Sequence, residues 1–546
     1  MDADAHSMSE ARSGDASSQI AKLERERDEY KKLVRLLQEE NERLKRGLLG
    51  QKAERLPRND AQLSLAILNL MLGGEVSAST PEPPAPEQTV TEHTRRQPMR
   101  KALSADWPRV PIELVPPEVQ REGLDAFELI GTDVREVLER RPASSVVVQL
   151  IYKKFVRKDR RHNAPTEVLA PETVELPIER GLAGPGMLAD SIVRRWQDHQ
   201  PLNRLEGIYA REGLDLAKST LCTWHEKLAE LVRPLVTAML VDAFGEPYLC
   251  VDATGVLVLA KEKCRHGHFW VLVAPEKHVL YGYSKQHDGA AVDELLKGYQ
   301  GYLVADAHSV YNHLYTEGDV IEVGCWAHCR RYFFKSLASE PERAKAALSH
   351  ISALFRVERT IADAPRGKKE QARRAKSRPL VDRFFEWCDA EVDKVLDESP
   401  LATAIGYARN QRVALRRFLD DGRLPLTNNI SELNLRRQVL GRRNWLFVGS
   451  DDGALVNTVF VSLLASARLH SIEPLAYLRD LLCLVPSWPR HRLLDLEAAY
   501  WKQTLEQPET QQKLAANVFR RVALGLPAAA GHAQDVPEVQ AAVSDG

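Results

Sequence analysis

The start of the chain repeats its apolar positions with the seven-residue period of a coiled coil. From Ile20 the a positions run through Asn41 to Leu48, and the d positions between them are Leu or Tyr. A buried Asn at an a position favours a parallel two-stranded pairing in one register. Opposite charges join g to e′ positions across such a pair: Glu26 with Lys31, and Glu40 with Lys45. Residues 1–72 are therefore predicted to hold a disordered start and a coiled coil that makes a homodimer; one amphipathic helix packed on its own domain is the alternative.

The pattern changes twice between residues 73 and 164. Residues 73–105 are rich in Pro, Thr and Glu, with PEPPAPE at their centre, and this composition predicts an extended linker. Residues 106–164 then alternate apolar and polar positions in stretches such as RVPIEL and SSVVVQLIYKKF. Such alternation predicts a small β-rich module.

Helical periodicity dominates residues 176–240. LNRLEGIYAREGLDLAKSTLCTWHEKLAELV predicts one helix, a turn at Gly213, and a second helix that begins near Leu216 or Ala217. In a helix-turn-helix module, the second helix enters the major groove of DNA. Leu221 and Trp224 would face inward, and the residues exposed to DNA would be Lys218, Ser219, Thr220 and Thr223. An ordinary helical hairpin has the same spacing, so the pattern alone leaves both interpretations open.

Two apolar runs in the following domain each end on an aspartate. YLCVD ends at Asp252 and YLVAD ends at Asp306, with a predicted hairpin and a helix between them. This order of strands before a helix favours an α/β core over residues 245–480. Residues 338–421 are helical in pattern and too long for a loop, so they are predicted to form a helical insertion. A small helical cap (481–526) and a disordered tail (527–546) would complete the chain.

A third carboxylate lies beside a strip of arginines in residues 426–453. Glu432 falls in the first turn of a predicted helix that an Asn pair opens, and four arginines follow before the next acidic residue: Arg436, Arg437, Arg442 and Arg443. Three carboxylates on two strands and a helix could hold a pair of divalent cations. A few protein oxygen ligands, completed by water and phosphate, suit magnesium. Two such ions would activate water or a 3′ hydroxyl and stabilise the leaving oxygen of a phosphodiester.

A purely structural interpretation of the same residues is available. Asn429 and Glu432 are spaced as a capping box, in which a carboxylate three residues after the N-cap closes back on it. An aspartate at the end of a strand is often a solvated turn residue. The two interpretations differ in what they expect of Glu432: a cap in one, a metal ligand in the other.

Charge and cysteine usage narrow the classes of partner. The formal net charge of the 546 residues is −1, so any contact with nucleic acid must come from local basic clusters such as residues 153–162 and 366–378. Solvated helix faces or loops would give the same clusters. The cysteines are scattered, and no apolar run approaches the roughly 18 residues of a membrane span. The chain is therefore predicted to be cytoplasmic, with no membrane contact.

One cysteine and one histidine form a secondary candidate for a metal-binding site. Cys325 and His328 lie three residues apart on a predicted helix and could share a metal, but two ligands do not make a structural zinc site. We expect this pair to pack behind the three carboxylates, with Arg330 and Arg331 facing phosphate.

Several long motifs resemble those of transposases of the insertion sequence 66 family. NNISELNLRRQVLGRRNWLFVGSDDGA followed by SLLASARLHSIEPLAYLRDLL is similar to the end of that family's catalytic domain, and VGCWAHCRRYFF to its middle. YLCVDATGVLVL and LVADAHSVYN fall where the family carries its first and second aspartates. The resemblance extends from about residue 48 to residue 501. It implies a multidomain α+β chain whose RNase H-like α/β catalytic domain uses Asp252, Asp306 and Glu432.

Two departures from the family's pattern affect what can be expected. The family usually carries cysteine pairs for zinc in the region of residues 106–164, and this chain has none there. We therefore expect no zinc to be bound there, and the basic run at residues 153–162 could contact phosphate instead. The family often has an acidic residue after its first aspartate, where Ala253 stands here. This change lies beside the metal ligand and leaves the ligand itself intact.

The resemblance implies a DNA transposase of a bacterial insertion sequence. Asp252, Asp306 and Glu432 would bind Mg²⁺ or Mn²⁺, water would nick the element end, and the freed 3′ hydroxyl would join target DNA. The expected partners are both DNAs and a second copy of the chain, and accessory proteins of the same element could also take part. Two alternatives are a catalytically inactive domesticated DNA-binding protein and a structure-selective RNase H-like nuclease. The intact triad argues against the first, and the second would need neither a DNA-recognition module nor a dimer arm.

Overall fold

A computed structural model of the chain describes residue 103 and residues 107–141, 144–158, 167–261, 263–316 and 318–527. The predicted coiled coil lies outside these residues, as do most of the predicted linker and tail. The described part has two sheets and many helices. The predicted mixed α+β class is therefore confirmed.

The described elements are eight strands and seventeen α-helices, with short 3-10 and π-helical segments between them. The strands are β1 (Arg109–Leu114), β2 (Phe127–Arg141), β3 (Ser144–Arg157), β4 (Tyr248–Val258), β5 (Arg265–Ala274), β6 (His278–Ser284), β7 (Gly301–Val304) and β8 (Val320–Val323). The helices are α1 (Pro117–Glu122), α2 (Pro185–Ile192), α3 (Leu202–Arg211), α4 (Lys218–Ala243), α5 (Gly289–Leu295), α6 (Trp326–Lys335), α7 (Pro341–Thr360), α8 (Arg366–Ala372), α9 (Arg378–Glu391), α10 (Pro400–Asn410), α11 (Arg412–Arg416), α12 (Asn429–Trp445), α13 (Asp451–Leu469), α14 (Pro474–Leu484), α15 (Trp501–Glu506), α16 (Pro508–Ala516) and α17 (Val518–Ala523).

Two compact units divide these residues. The smaller unit comprises residues 329–359 and 376–410, and the larger comprises residues 103–328, 360–375 and 411–527. The smaller unit is entirely helical and buries one apolar face of each of its long helices, including Ile351 of α7 and Phe384 of α9. Its bounds differ from those of the predicted insertion (338–421), because residues 360–375 and 411–421 belong to the larger unit.

A three-stranded sheet, β1-β3-β2, opens the larger unit. β3 pairs antiparallel with β2 and parallel with β1. Val146, Val148 and Leu150 of β3 face a core that Phe519 and Val522 of α17 complete. The sheet therefore shares its core with a helix almost 400 residues later in the chain.

A five-stranded sheet with the order β6-β5-β4-β7-β8 forms the centre of the larger unit. β4, β5 and β6 make an antiparallel meander, whereas β7 and β8 run parallel to β4. Because parallel strands end at the same edge of a sheet, whatever follows the paired part of β4 and of β7 meets there.

Helix α13 covers the outer edge of this sheet. The backbone N–H groups of Val279 and Tyr281 on β6 donate to the hydroxyls of Ser466 and Ser462, at 3.0 and 2.8 Å. These donors would otherwise be unpaired, because β6 is the edge strand. Among the described residues, α13 is the one helix long and apolar enough to span a membrane, but most of it is buried inside the protein. Its apolarity is that of a core helix.

Helices α3 and α4 precede the central sheet and are joined by a tight turn. Gly213 in this turn has φ of +84°, a left-handed conformation that favours glycine. Helix α4 begins at Lys218, just after the predicted Leu216 or Ala217, and continues for 26 residues with Pro234 inside it.

Candidate active site

The two aspartates lie at the same edge of the central sheet, each two residues beyond the last paired residue of β4 or β7. The pairing of β4 with β7 ends at Cys250 and Val304, and Asp252 and Asp306 each follow two residues later. Side chains two residues apart point to the same face of a strand, and neighbouring strands lie about 4.8 Å apart. Both aspartates are half-buried. Strand register therefore brings together two carboxylates that are 54 positions apart in the chain.

Tyr311 lies close to both carboxylates. It is fully buried in the 3-10 segment Ser309–Tyr315 that follows Asp306. Burial raises the pKa of its hydroxyl well above the usual value, and the negative charges of Asp306 and Asp252 raise it further. A neutral phenol thus forms part of the wall beside the aspartates.

Helix α12 brings Glu432 to the same region. The side chain of Asn428, which precedes the helix, donates through Nδ2 to the backbone oxygen of Val251 at 2.8 Å. Val251 is the neighbour of Asp252 on β4, so this bond fixes the start of α12 beside the first aspartate. Glu432 follows Asn428 by four residues, which is one helical turn on the same face.

The capping-box interpretation of Glu432 is wrong. The N-cap of α12 is Asn428 and not Asn429, and its side chain makes no hydrogen bond to the helix. With that N-cap, the third helical position is Ser431, whereas a capping box needs its carboxylate there. Asn429 itself is exposed. The Asn428 side chain is instead used for the bond to β4.

The first turn of α6 runs beside the first turn of α12. The Sγ atom of Cys325 accepts the backbone N–H of Asn428 at 3.2 Å, and Nε2 of His328 lies 3.4 Å from Oε1 of Glu432. Burial raises the pKa of Cys325, so this cysteine is a neutral thiol at neutral pH. Cys325 supports the start of α12, whereas His328 contacts the candidate catalytic carboxylate directly and does not lie behind it.

The arginines of α12 do not form one exposed strip. Arg436 and Arg443 are exposed, but Arg437 is buried and donates to Oε1 of Gln197 at 2.8 Å. Arg442 is half-buried and donates to the hydroxyl of Thr254 and to the backbone oxygen of Gly255. The reason is helical geometry: α12 packs one face on the protein, and positions 437, 438 and 441 fall on that face. The predicted strip of four arginines is therefore exposed only at Arg436 and Arg443, whereas Arg437 and Arg442 make contacts within the protein.

The remaining predicted DNA-contacting residues lie on two other helices. Lys218, Ser219 and Thr223 of α4 are exposed and Thr220 is half-buried, while Leu221 and Trp224 are buried. Arg330 and Arg331 are exposed on α6 and belong to the smaller unit.

A group of aromatic rings lies beside Asp306, and the sequence pattern did not predict it. The ring of His287 stacks on Trp270 with centroids 4.9 Å apart, and His308 meets His287 at 4.6 Å. Burial lowers the pKa of His287, and the neighbouring imidazoles of His308 and His268 lower it further, so the ring is neutral near pH 7. His308 could have been noticed because it follows Asp306 by two residues. His287 and Trp270 come from other strands and loops, which only the fold brings together.

The oxygen atoms of the aspartates fit a magnesium site in which the protein supplies only some of the ligands. Within the described ranges, no group of three His, Cys, Asp or Glu side chains is placed to hold a metal ion alone. Magnesium is commonly bound by one or two carboxylates, with water and substrate phosphate in the other positions. Asp252 and Asp306 supply such a pair, and Glu432 stands one helical turn from the bond that fixes α12 to β4.

Comparison with known families gives two matches. A family model described as "Transposase IS66 family" matches residues 180–455, which include the two aspartates and the glutamate. A second model, described as "Transposase C of IS166 homeodomain", matches residues 36–112, most of which lie outside the described part of the chain.

Similar proteins are found in Sinorhizobium fredii (strain NBRC 101917 / NGR234). The protein y4hP is 30% identical over 491 residues, which cover 85% of this chain and 88% of that protein. The protein y4qI is 28% identical over 505 residues, covering 88% of this chain and 91% of that protein. Both relatives are described as uncharacterized.

Proposed function

Because this chain belongs to the IS66 family of transposases, we propose that it cleaves the ends of a bacterial insertion sequence and joins the 3′ hydroxyl to target DNA. The observation that carries this proposal is that Asp252 and Asp306 each follow the paired part of neighbouring parallel strands by two residues, with the start of α12 bonded to β4. Two divalent ions, when bound, would activate water or a 3′ hydroxyl and stabilise the leaving oxygen.

Each carboxylate has its own part in this proposal. Asp252 and Asp306 would hold Mg²⁺ or Mn²⁺ from the sheet, and Glu432 would complete the ligand set from the helix. His328 would keep the Glu432 carboxylate oriented through their contact. The neutral Tyr311 would close the wall behind the aspartates and keep bulk water from them. The exposed Arg436 and Arg443 would contact DNA phosphates.

The wider architecture supports the same function. The order β6-β5-β4-β7-β8, with three antiparallel strands followed by two parallel ones, is what we expect of an RNase H-like core. The exposed first turn of α4, with Lys218, Ser219, Thr220 and Thr223, would serve as the recognition helix of a helix-turn-helix module. The N-terminal residues would dimerise the chain as a coiled coil, and the protein would act in the cytoplasm without zinc.

The test is strand cleavage by three amide variants, Asp252→Asn, Asp306→Asn and Glu432→Gln. Each removes a negative ligand and keeps its shape, so cleavage of labelled element-end DNA with Mg²⁺ or Mn²⁺ should fall by orders of magnitude. DNA binding and melting temperature should stay near the wild-type values. Asp319→Asn, an exposed carboxylate elsewhere in the same unit, is the matched control.

The outcomes separate the candidate functions. Wild-type protein that binds element ends and never cuts them would favour the inactive DNA-binding protein. Cutting of branched DNA without preference for element ends would favour the structure-selective nuclease. Near-normal cleavage by Glu432→Gln would show that Glu432 is not a catalytic residue.

A further inference from the structure

Two arginines of the larger unit are nine-tenths buried, and both lie near His199. Arg195 is 8% exposed and belongs to the π-helical segment Val193–Gln197, and Arg437 is 9% exposed and belongs to α12. Gln197 of the same π-helical segment accepts a hydrogen bond from Arg437. Burial lowers the pKa of the His199 imidazole, and the guanidinium groups of Arg437 and Arg195 lie near enough to lower it further.

Neither arginine has an acidic partner among the described residues. Arg195 donates to the backbone oxygen of Gln200 at 3.4 Å and lies over the ring of Trp196 at 4.4 Å. Its Nε atom and the Nη2 atom of Arg437 are buried and have no hydrogen-bond partner within the described part of the chain. The adjacent Arg194 differs, because it forms ion pairs with Asp190 and Glu212.

Uncompensated buried charge is unfavourable unless something neutralises it. Burial lowers the pKa of Arg195 to about 10 and lowers that of Arg437, but both side chains remain positive at neutral pH. An ion removed from water without a counter-charge loses its solvation and gains no attraction in return. The same two groups with an anion between them would recover both the attraction and the missing hydrogen bonds.

His199 adds a strained residue to the same place. Its φ of +58° is a conformation that residues other than glycine rarely adopt, and such strain is common at ligand sites. A Cβ atom on Gly441 of α12 would lie 2.7 Å from Nε1 of Trp445 and 3.3 Å from Nδ1 of His199. Helix α12 therefore packs closely against the half-buried His199, and the half-buried Trp445 of the same helix has the Arg195 guanidinium 5.7 Å from the centre of its ring.

We propose that Arg195, His199 and Arg437 form a phosphate-binding site, occupied in function by one backbone phosphate of the bound DNA. Guanidinium groups offer paired N–H donors that match phosphate oxygens, and the neutral imidazole can donate one more. Arg437 follows Glu432 by five residues, about 7.5 Å along the helix axis. The bound phosphate would thus hold the helix that carries the candidate catalytic glutamate. The inference that the site binds a phosphate does not depend on the proposed function, whereas the inference that DNA supplies this phosphate rests on it.

The first experiment tests whether inorganic phosphate stabilises the wild-type protein. Melting temperature is recorded against phosphate concentration, with sodium chloride at matched ionic strength as the control. The site predicts a saturable rise with phosphate that chloride does not reproduce. A melting temperature that responds equally to both salts would overturn the inference, and this arm needs no variant to fold.

The second experiment uses Arg195→Met and Arg437→Met, with Arg490→Gln, an exposed arginine on the segment Arg490–Leu496, as control. Removing an uncompensated buried charge should leave the melting temperature in chloride equal to or above wild type and abolish the phosphate-dependent rise. A fall in melting temperature in chloride, with the phosphate response kept, would mean that the arginines are only structural and would overturn the inference.

The third measurement identifies the source of the phosphate. For a short DNA duplex, the slope of log affinity against log salt should become shallower by about 1 in each Met variant. An unchanged slope with a lost phosphate response would overturn DNA as the source. The salt dependence measures DNA binding and does not require cleavage. If the wild-type protein never cleaves DNA but the Met variants still show shallower slopes, the proposed transposase activity is wrong and the phosphate-binding site is supported.

Discussion

At the scale of single residues, one buried amide joins the two halves of the candidate active site. Asn428 is fully buried and spans from the start of α12 to the backbone of β4. Its neighbour Asn429 has the same chemistry but is exposed. The pair thus offers a comparison in which the side chain is identical and only the contact differs.

Asn428→Ala should reduce catalysis more than it reduces stability. The change removes one buried hydrogen bond, which costs about 1 kcal/mol of stability, and frees the helix that carries Glu432. Small displacements of reacting groups can cost about 100-fold in rate. We expect cleavage to fall by about that factor at unchanged DNA affinity, while Asn429→Ala cleaves normally. Equal rates for the two variants in single-turnover cleavage would contradict this role.

Glu139 is a second residue whose burial has a measurable consequence. It lies fully buried on β2 and accepts the backbone N–H groups of Arg140 and Met187 through Oε1. Burial raises its pKa from 4.5 to about 8, although these hydrogen bonds oppose the shift. Below pH 4.5 the carboxyl is protonated in both the folded and unfolded chain and makes no difference to stability.

The stability of the wild-type protein should therefore fall as the pH rises from about 4.5 to about 8. In that window the unfolded chain releases the proton and the folded chain keeps it, so stability decreases by up to about 1.4 kcal/mol per pH unit. Above pH 8 this contribution is constant. Glu139→Gln should lose this part of the pH dependence, whereas the exposed Glu175→Gln should retain it. Parallel melting-temperature profiles for Glu139→Gln and wild type between pH 5 and pH 8.5 would show the assignment to be wrong.

At the scale of elements, the C-terminal helices are part of the first sheet's core. The sequence predicts residues 481–526 to be a separate cap, since their pattern is helical and follows the catalytic motifs. In the structure, Phe519 of α17 is fully buried among side chains of β1, β2 and β3. The three-stranded sheet and α17, which are far apart in the sequence, thus stabilise each other.

Phe519→Ala should destabilise the three-stranded sheet as well as its own helix. Truncation of a buried Phe costs about 3–5 kcal/mol. Hydrogen exchange followed by mass spectrometry should show faster exchange in peptides of β2 and β3, with Leu524→Ala, an exposed position just after α17, as the control. Faster exchange confined to residues 508–527 would restore the idea of an independent cap.

At the scale of the whole molecule, the proposed dimer rests on residues outside the described ranges. Asn41 and the two charge pairs specify a parallel two-stranded coil if the heptads pair with a second copy. Two DNA ends must be held together for a transposase to join both, and a dimer would provide one active site for each.

Removal of residues 1–50 should halve the mass in solution. The remaining chain keeps all of the described elements, so its melting temperature and cleavage of a single element end should change little. Paired-end binding should weaken, because effective concentration is lost when two sites are no longer linked. Light scattering that gives the same mass for both forms would exclude the coil as the dimer interface.

The family, the α+β class, and the strands and helix near the candidate carboxylates could all be predicted from the sequence. These features are local: an apolar run that ends on Asp252 or Asp306, or a helix that begins just before Glu432, is encoded by neighbouring residues. The turn at Gly213 and the inward direction of Leu221 and Trp224 follow from the same short-range periodicity.

Features that depend on contacts between distant segments became visible only in the folded chain. The pairing of β4 with β7 brings Asp252 and Asp306 to the same edge of the sheet, and the N-cap at Asn428 excludes the capping box that the local spacing suggests. Packing divides the arginines of α12 into exposed and buried ones, since a run of like residues does not reveal which side of a helix meets the protein. The uncompensated pair of Arg195 and Arg437 arises in the same way, because a charge is buried or solvated according to neighbours that the linear sequence does not specify.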